Sequence, residues 1–389
     1  MKRPAHIARR MADIEPFHVM DLLARARKLE AAGRSIVHLE IGEPDFPTPE
    51  PIMEAGRKAL ADGHTHYTPA VGLLALREAI AQFYQDSQGV HVSPERIIIT
   101  PGASGALLLV MAVLLDPGDQ VLMADPGYPC NRHFVRTFEG EAVAVPVGAD
   151  TAYQITAEHL ETYWGERSVA AMVASPANPT GTLVPEPALR RMLEVIARKG
   201  GRLIVDEIYH GLVYGERAIS ALALSSEAFV INSFSKYFGM TGWRLGWIVA
   251  PEAYVRPLDK LAQNLFLAAP TPAQHAALAA FRPETLEILE TRRKAFRERR
   301  DFLLPALRDL GFGIPVTPEG AFYIYADSTV FDTDSQHLAD RLLDQAGVAI
   351  TPGLDFGHHR PTDHVRFAYT REIQVLEDGV ERLRLALRG

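Results

Sequence analysis

An α/β fold is predicted for this chain of 389 residues, with a large domain on a mainly parallel seven-stranded sheet and a smaller α+β domain beside it. Three observations predict it. From position 95 seven short apolar runs recur: RIIITPG, QVLMADPG, AVAVPV, VAAMVASP, RLIVDE, AFVINSFS and RLGWIVAP. They show no polar alternation, the pattern of strands covered on both faces. Helical stretches such as SGALLLVMAVLLD and EPALRRMLEVIARKG lie between several of them. After them the pattern changes to a long charged helix followed by strand, helix, strand and helix.

The elements follow in chain order. HVMDLLARARKLEAAGR places Val19, Leu22, Leu23, Ala26 and Leu29 at a helical period, with Gly33 set to stop the helix. IVHLEIGEPDF reads as a short strand entering a Gly/Pro loop, and PIMEAGRKALADG and GLLALREAIAQFYQDSQG read as helices. The seven strands then complete a large domain over roughly 50–280. ETLEILETRRKAFRERRDFLLPALRDLG is one long helix whose arginines alternate with acids, the pattern of a solvated face. AFYIYAD, SQHLADRLLDQAG, HVRFAYT and EIQVLEDGVERLRLAL give the smaller domain over roughly 281–389, and 1–49 is expected to join it, because a chain that enters and leaves a large domain can pair its two ends. No Gly/Ser-rich linker separates the parts, so a site between them is expected.

Composition narrows the function. Apolar residues are 47% and charged residues 23%, enough to bury a large core, and the net charge of −8 argues against a nucleic-acid or anionic-membrane surface. One cysteine, Cys130, excludes an internal disulfide framework and suits a reducing compartment. The start MKRPAHIARRMADIEPF lacks an apolar core for a secretory signal. GALLLVMAVLLD, about ten apolar residues, is too short to span a bilayer. A cytoplasmic enzyme is expected. His358, His359 and His364, and His64 and His66, lie near one another without a cysteine or carboxylate at ligand spacing; they read as surface histidines, and no metal is expected.

The chemistry centres on Lys236 in SFSKYFGMTGWRLGW. It follows the run AFVINS, where a strand ends, and open α/β sheets bind ligands at that edge. A lysine amine becomes chemically useful when desolvation or nearby cations remove its proton near neutral pH. Arg244, eight residues on, is such a neighbour, and its planar fork suits a phosphate. The turn TPGASGALLLV sets Gly102, Ala103 and Ser104 at a helix N-terminus, where free N–H groups and the dipole favour an anion.

SFSKYFGMTGWRLG resembles the cofactor-lysine signature of the class I/II aminotransferases, with small residues before the lysine and Gly, Arg and Gly at fixed later spacings. The resemblance runs from EIGEPDF to HVRFAY. It implies fold type I enzymes dependent on pyridoxal 5'-phosphate (PLP), homodimeric, with active sites at the subunit interface and Lys236 holding the cofactor as a Schiff base. It further implies that Asp206 in RLIVDEIY pairs with the protonated pyridine nitrogen, keeping the ring an electron sink. Tyr209 and Asn178, the latter in ASPANPTG, would hydrogen-bond the ring oxygen. Tyr128 in DPGYP would stack on the ring. Gly102, Ala103, Ser104, Ser233, Ser235 and Arg244 would hold the phosphate, with Tyr67 of HTHYTPAVG reaching the other subunit's phosphate. Arg366 of HVRFAYT would grip the substrate α-carboxylate, with Gly42 closing over it.

The reaction so implied passes an amino group from an L-amino acid to a 2-oxo acid, with Lys236 as general acid and base. A β-lyase or related synthase shares every motif quoted. A PLP-binding regulator needs an attached DNA-binding module, for which the resemblance leaves no room. A dedicated aspartate enzyme needs a second cation for the distal carboxylate. Gly102-Ala103-Ser104 supplies none, and Arg132 and Lys260 are the remaining candidates. Phe17 and the stretch QNLFLAAPTP around Asn264 are apolar and neutral, so a neutral or apolar donor is expected. 2-Oxoglutarate or pyruvate is the acceptor that the resemblance implies.

Overall fold

A computed structural model describes residues 6–215 and 217–387, which leaves the first five residues of the basic start outside it. The seven apolar runs form one sheet: β1 (Ile97–Thr100), β2 (Gln120–Asp125), β3 (Glu141–Pro146), β4 (Ser168–Ala174), β5 (Arg202–Asp206), β6 (Phe229–Ser233) and β7 (Gly246–Val249), in the order β1-β7-β6-β5-β4-β2-β3. Six strands point the same way. β7 alone runs antiparallel, to both β1 and β6. Alternate residues of one strand serve two cores. Ile98, Val121, Met172 and Ile204 pack with Leu107, Val110 and Met111 of the helix Gly102–Leu114. Ile97, Ile99, Leu122, Val173 and Leu203 pack on the opposite face with Leu76 and Ile80 of the helix Leu74–Gln88 and with Leu189 and Met192 of the helix Glu186–Lys199. Each such buried Leu, Ile or Val contributes about 1.5–3 kcal/mol, which is why polar alternation is missing from the runs.

A second core joins both ends of the chain. Strands β8 (Tyr323–Asp327), β9 (Thr351–Pro352) and β10 (His364–Ala368) form an antiparallel sheet in the order β9-β10-β8. Phe322, Ile324, Val365 and Phe367 pack there with Phe296, Leu303 and Leu307 of the helix Pro283–Leu310 and with Leu376 and Leu383 of the helix Ile373–Leu387. Val37–His38 pairs parallel with Val348–Ala349. Leu22 and Ala26 of the helix His18–Ala31 pack on Leu343 and Ala349.

Two expectations are corrected here. The arginines of Pro283–Leu310 are not simply a solvated face. Arg299 is buried, pairs with Asp45 at 2.8 and 3.0 Å and donates to Thr370 O. Arg293 and Arg300 donate to Val213 O and Pro318 O, both at 2.9 Å. A long apolar stem and a planar head with five donors let arginine clip a helix to neighbouring loop carbonyls, which a charge pattern does not reveal. His364 is no surface residue: it is buried and stacks on Tyr325 with centroids 4.6 Å apart, and burial lowers its pKa. Among the described residues no helix is long and apolar enough to cross a membrane, and no group of three His, Cys, Asp or Glu is placed to hold a metal.

Candidate active site

The carboxyl ends of the parallel strands converge on one place. β1 ends at Thr100 and leads into the helix that starts at Gly102. β2 ends three residues before Tyr128, and β4 four residues before Asn178. β5 ends on Asp206, and β6 three residues before Lys236. In an open α/β sheet ligands bind in the crevice outside the carboxyl ends of the strands, so side chains at and just past those ends can face a ligand instead of a core. The cavity there has a volume of about 390 Å³, and Ala103, Ser104, Tyr128, Asn178, Asp206, Tyr209, Ser235, Lys236 and Arg244 line it together with Gly42, Tyr323 and Arg366.

One end is built for an anion. The first turn of Gly102–Leu114 presents Ala103 and Ser104. The hydroxyls of Ser233 and Ser235 lie 2.8 Å apart beside it. Arg244 takes a left-handed backbone (φ 54°), uncommon for a residue with a Cβ, which sets its guanidinium against Gly102. Gly102 has φ 72°, a left-handed backbone that favours glycine, and a Cβ there would lie 2.5 Å from Arg244 Nη2. At the other end Arg366 is buried on β10. It donates to Asn178 Oδ1 at 2.9 Å, to Thr351 Oγ1 at 3.2 Å and to Glu40 O. Its Nε–H is buried with no partner among the described residues. A guanidinium only donates, so the amide atom of Asn178 facing it is oxygen, and the Asn178 NH₂ is left as a donor. Gly42 leaves no room for a side chain, since a Cβ would collide with the Tyr323 hydroxyl, and Gly42 O accepts from Lys236 Nζ at 2.9 Å.

Residues 34–383 match the family Aminotransferase class I and II. The chain belongs to this family. It is 38% identical over 381 residues to the (5-formylfuran-3-yl)methyl phosphate transaminase of Methanocaldococcus jannaschii, covering 97% of this chain and 98% of that one. It is 39% identical over 375 residues to the valine–pyruvate aminotransferase of Mycobacterium tuberculosis, covering 96% of each. A solved aminotransferase structure from Mycobacterium tuberculosis superimposes with a TM-score of 0.95 at 38% identity, over 99% of this chain and 100% of that one. The protein is thus a PLP-dependent aminotransferase of fold type I.

The aminotransferase's cavity fits that cofactor. It offers an amine at Lys236, a carboxylate at Asp206, phenols at Tyr128 and Tyr209, and the Arg244 and Ser235 end for a phosphate. Asp206 Oδ1 accepts from Ile208 N at 3.0 Å, its one hydrogen bond among the described residues, which leaves the second oxygen for a ring nitrogen. Burial pushes the Asp206 carboxyl up to about 6, as expected of a carboxylate waiting for a cation. Burial, offset in part by Glu43 and reinforced by Arg366 and Arg244, lowers Lys236 to about 8. At pH 7 roughly one amine in ten is then neutral, against about one in three thousand at the ordinary lysine value. Tyr209 is held protonated, chiefly by burial, and its hydroxyl lies 3.0 Å from that of Tyr323.

Not every expected residue is here. Gly102 and Ser233 do not line the cavity, although the Ser233 hydroxyl lies 2.8 Å from that of Ser235, which does. Tyr67 is 84% exposed on the surface of this chain and does not reach its own site. Asn264 folds onto Lys260 O, and neither residue lines the cavity. Arg132 is occupied by Glu15 at 3.1 Å. Sequence reasoning missed Tyr323, over whose ring Arg366 sits at 4.4 Å, and Thr351. It also missed Val19, Met20, Leu23 and Arg27, which line the cavity beside Phe17. The helical period of the N-terminal segment was visible, but nothing in it marked which face meets the site.

Directly behind Asp206, Glu207 is fully buried. Its Oε1 accepts from Ser220 Oγ at 3.0 Å and Ala221 N at 2.8 Å, and its Oε2 lies 3.3 Å from His210 Nδ1. Burial raises Glu207 to about 8 and lowers His210 to about 3, so near pH 6 the acid is protonated beside a neutral ring. A carboxyl raised in the folded state holds its proton there after the unfolded chain has released it. Stability from this group is therefore greatest below about pH 4.5 and declines as pH rises to about 8. Glu207→Gln keeps both acceptor and donor without a titrating proton. Melting temperatures of the two proteins should agree near pH 5, and the variant should be the more stable above pH 8. Parallel curves across that range would show that Glu207 does not titrate as described.

Proposed function

We propose that this aminotransferase takes its amino group from a neutral, preferably apolar, L-amino acid and delivers it to a 2-oxo acid. The carrying observation is the apolar part of the cavity lining, Phe17, Val19, Met20, Leu23, Leu107 and Phe134; beside it the one lining cation with no role in holding the cofactor or the α-carboxylate is Arg27, which is exposed to solvent. A buried carboxylate without a partner costs several kcal/mol. The names of the relatives differ in substrate, one carrying a phosphate and one being valine, so the apolar lining is the better guide to the donor.

In this reading Arg366 takes the substrate α-carboxylate, using the unpartnered Nε–H and the geometry fixed by Asn178, Thr351 and Glu40 O. When bound, the cofactor supplies a carbonyl that condenses with amines and a ring that accepts the electron pair left at Cα. Lys236 is the amine that anchors it. Lys236, when free, would carry the proton between the substrate Cα and the cofactor. Asp206 would pair with the protonated pyridine nitrogen. Tyr209 and the Asn178 amide would donate to the ring oxygen, and Tyr128 would stack on the ring. Gly102, Ala103, Ser104, Ser233, Ser235 and Arg244 would hold the phosphate.

The division into 50–280 and 1–49 with 281–389 is proposed on the two separate cores. A homodimer is proposed on exposed apolar residues. Tyr67, Leu265 and Leu267 are more than half exposed. Thr271 Oγ1 donates to His66 O at 2.7 Å and Gln274 Nε2 to Thr68 Oγ1 at 3.0 Å, which ties the Tyr67 segment to the region just past Leu267. Tyr67 would serve the partner's phosphate. The lone cysteine and acidic balance suit the cytoplasm.

The test is a set of half-reactions with alanine, leucine, phenylalanine and aspartate under one condition. A neutral donor should give the highest kcat/KM, with stoichiometric oxo acid and the cofactor left in its amine form. A clear preference for aspartate would refute the neutral-donor reading. Continuous release of pyruvate and ammonia would instead indicate a lyase.

A further inference from the structure

We propose that Tyr323 is a positioning residue that joins the two ends of the site: its ring seats the Arg366 guanidinium, and its hydroxyl directs the proton of Tyr209 toward the cofactor's ring oxygen. The inference rests on the site reading given above, in which Arg366 takes the α-carboxylate and Tyr209 donates to that oxygen. It adds a residue that touches both.

Tyr323 opens β8, pairs with Ala368 of β10, and lines the cavity although only 2% of its surface is exposed. Arg366 Cζ sits over its ring, 4.4 Å from the centroid, and Phe356 meets the same guanidinium at 4.9 Å. A cation is attracted to an aromatic face, so the two rings help set where Arg366 meets an anion. The Tyr323 hydroxyl makes one hydrogen bond among the described residues, to the Tyr209 hydroxyl at 3.0 Å. Gly42 gives it room, since a Cβ there would occupy its place. Packing limits both rings: Tyr209 stands edge-on to Tyr323, with centroids 5.9 Å apart, and edge-on to Phe322 at 5.4 Å.

Each phenol carries one proton, so either can donate across this contact. In the site reading Tyr209 gives its proton to the ring oxygen, and the contact then requires Tyr323 as the donor. A hydroxyl that accepts a hydrogen bond is polarised into a stronger donor itself. Arg366 reinforces that direction: burial raises the pKa of the Tyr323 phenol, and the Arg366 charge works against the rise. Besides Tyr323, the ionisable groups acting on the Tyr209 phenol are Tyr128 and Arg366. Tyr323 thus lets the cation at one end of the site strengthen the donor at the other. The route is separate from that through Asn178, whose amide bonds Arg366 directly.

The test is spectroscopic and uses the PLP-loaded enzyme. A donor to the ring oxygen favours its anionic form and so lowers the pH at which the lysine-bound cofactor changes colour. Tyr323→Phe keeps the ring and removes the hydroxyl. It should raise that midpoint by about half a pH unit or more, the effect of about one hydrogen bond, while KM for the best neutral donor stays within about twofold. Tyr323→Leu should raise the midpoint equally and also raise KM about threefold or more, because Arg366 loses a ring. Tyr209→Phe should raise the midpoint at least as far, and adding Tyr323→Phe to it should add nothing, since the two hydroxyls act in series. An unmoved midpoint in Tyr323→Phe, or a shift that adds to that of Tyr209→Phe, would overturn the role of the hydroxyl. Equal KM values in the two Tyr323 variants would overturn that of the ring. An unmoved midpoint in Tyr209→Phe would instead overturn the placement of Tyr209 in the site reading beneath.

Discussion

Lys236→Ala should reduce single-turnover transfer by about 10⁴-fold or more, the upper range for loss of a positioned acid–base group. The expectation follows from where the amine sits. Its one hydrogen bond among the described residues is to Gly42 O, and burial lowers its pKa to about 8. It is thus desolvated, and at neutral pH partly unprotonated, in a cavity with no other amine lining it. Asp206 and Glu43 are the carboxylates that line the cavity; in the proposed reading Asp206 is needed as an anion opposite the ring nitrogen and cannot also carry the moving proton. The variant should still bind cofactor through the Arg244 and Ser235 end, and a small primary amine added to the solution should restore part of the rate by entering the cavity. Residual transfer within about 100-fold of wild type, unaffected by added amine, would place the proton-transfer group elsewhere.

Asp206→Ala should cost about 10³-fold or more in the rate of Cα proton removal, several kcal/mol of transition-state stabilisation, while some cofactor binding is retained. The cause is electrostatic. In the proposed reading the anion would keep a proton on the ring nitrogen, and that positive charge would stabilise the electron pair developing at Cα. Alanine also leaves Ile208 N without its acceptor, so a structural loss has to be separated from the electrostatic one. Asp206→Asn keeps an oxygen for Ile208 N and removes only the charge. Both variants should therefore lose most of the rate with little change in melting temperature for Asn. A rate within a few-fold of wild type would mean that the sink is tuned by other groups.

Much of this was legible in the sequence because the chemistry sits at strand ends. Lys236 and Asn178 each follow an apolar run whose end is marked by Ser or Pro, Asp206 itself ends one, and residues at and just past a strand end in a parallel sheet are directed at the ligand edge. The glycines were readable for a steric reason: at Gly42 and Gly102 a side chain would strike Tyr323 and Arg244. The direction of β7 was not legible, since a strand buried on both faces has the same composition either way round. Nor were Tyr323 and Thr351. They reach the site from the second core, more than a hundred residues from Asp206 in sequence, and each looks locally like an ordinary strand residue. The arginines of Pro283–Leu310 misled for the related reason that pairing with acids in sequence does not exclude carbonyl partners in space. Met20 and Leu23 escaped notice because their helix carries apolar residues on two sides, Leu22 and Ala26 for the core and this pair for the cavity.

The most direct test of the central claim is covalent. The purified protein should be yellow, and borohydride should fix the colour to the chain by reducing the bond between cofactor and lysine. Digestion and peptide mapping should then find the adduct on Lys236, in the peptide that contains SFSKYFGMTGWR. An adduct on any other lysine, or none at all in a yellow, active preparation, would contradict the account.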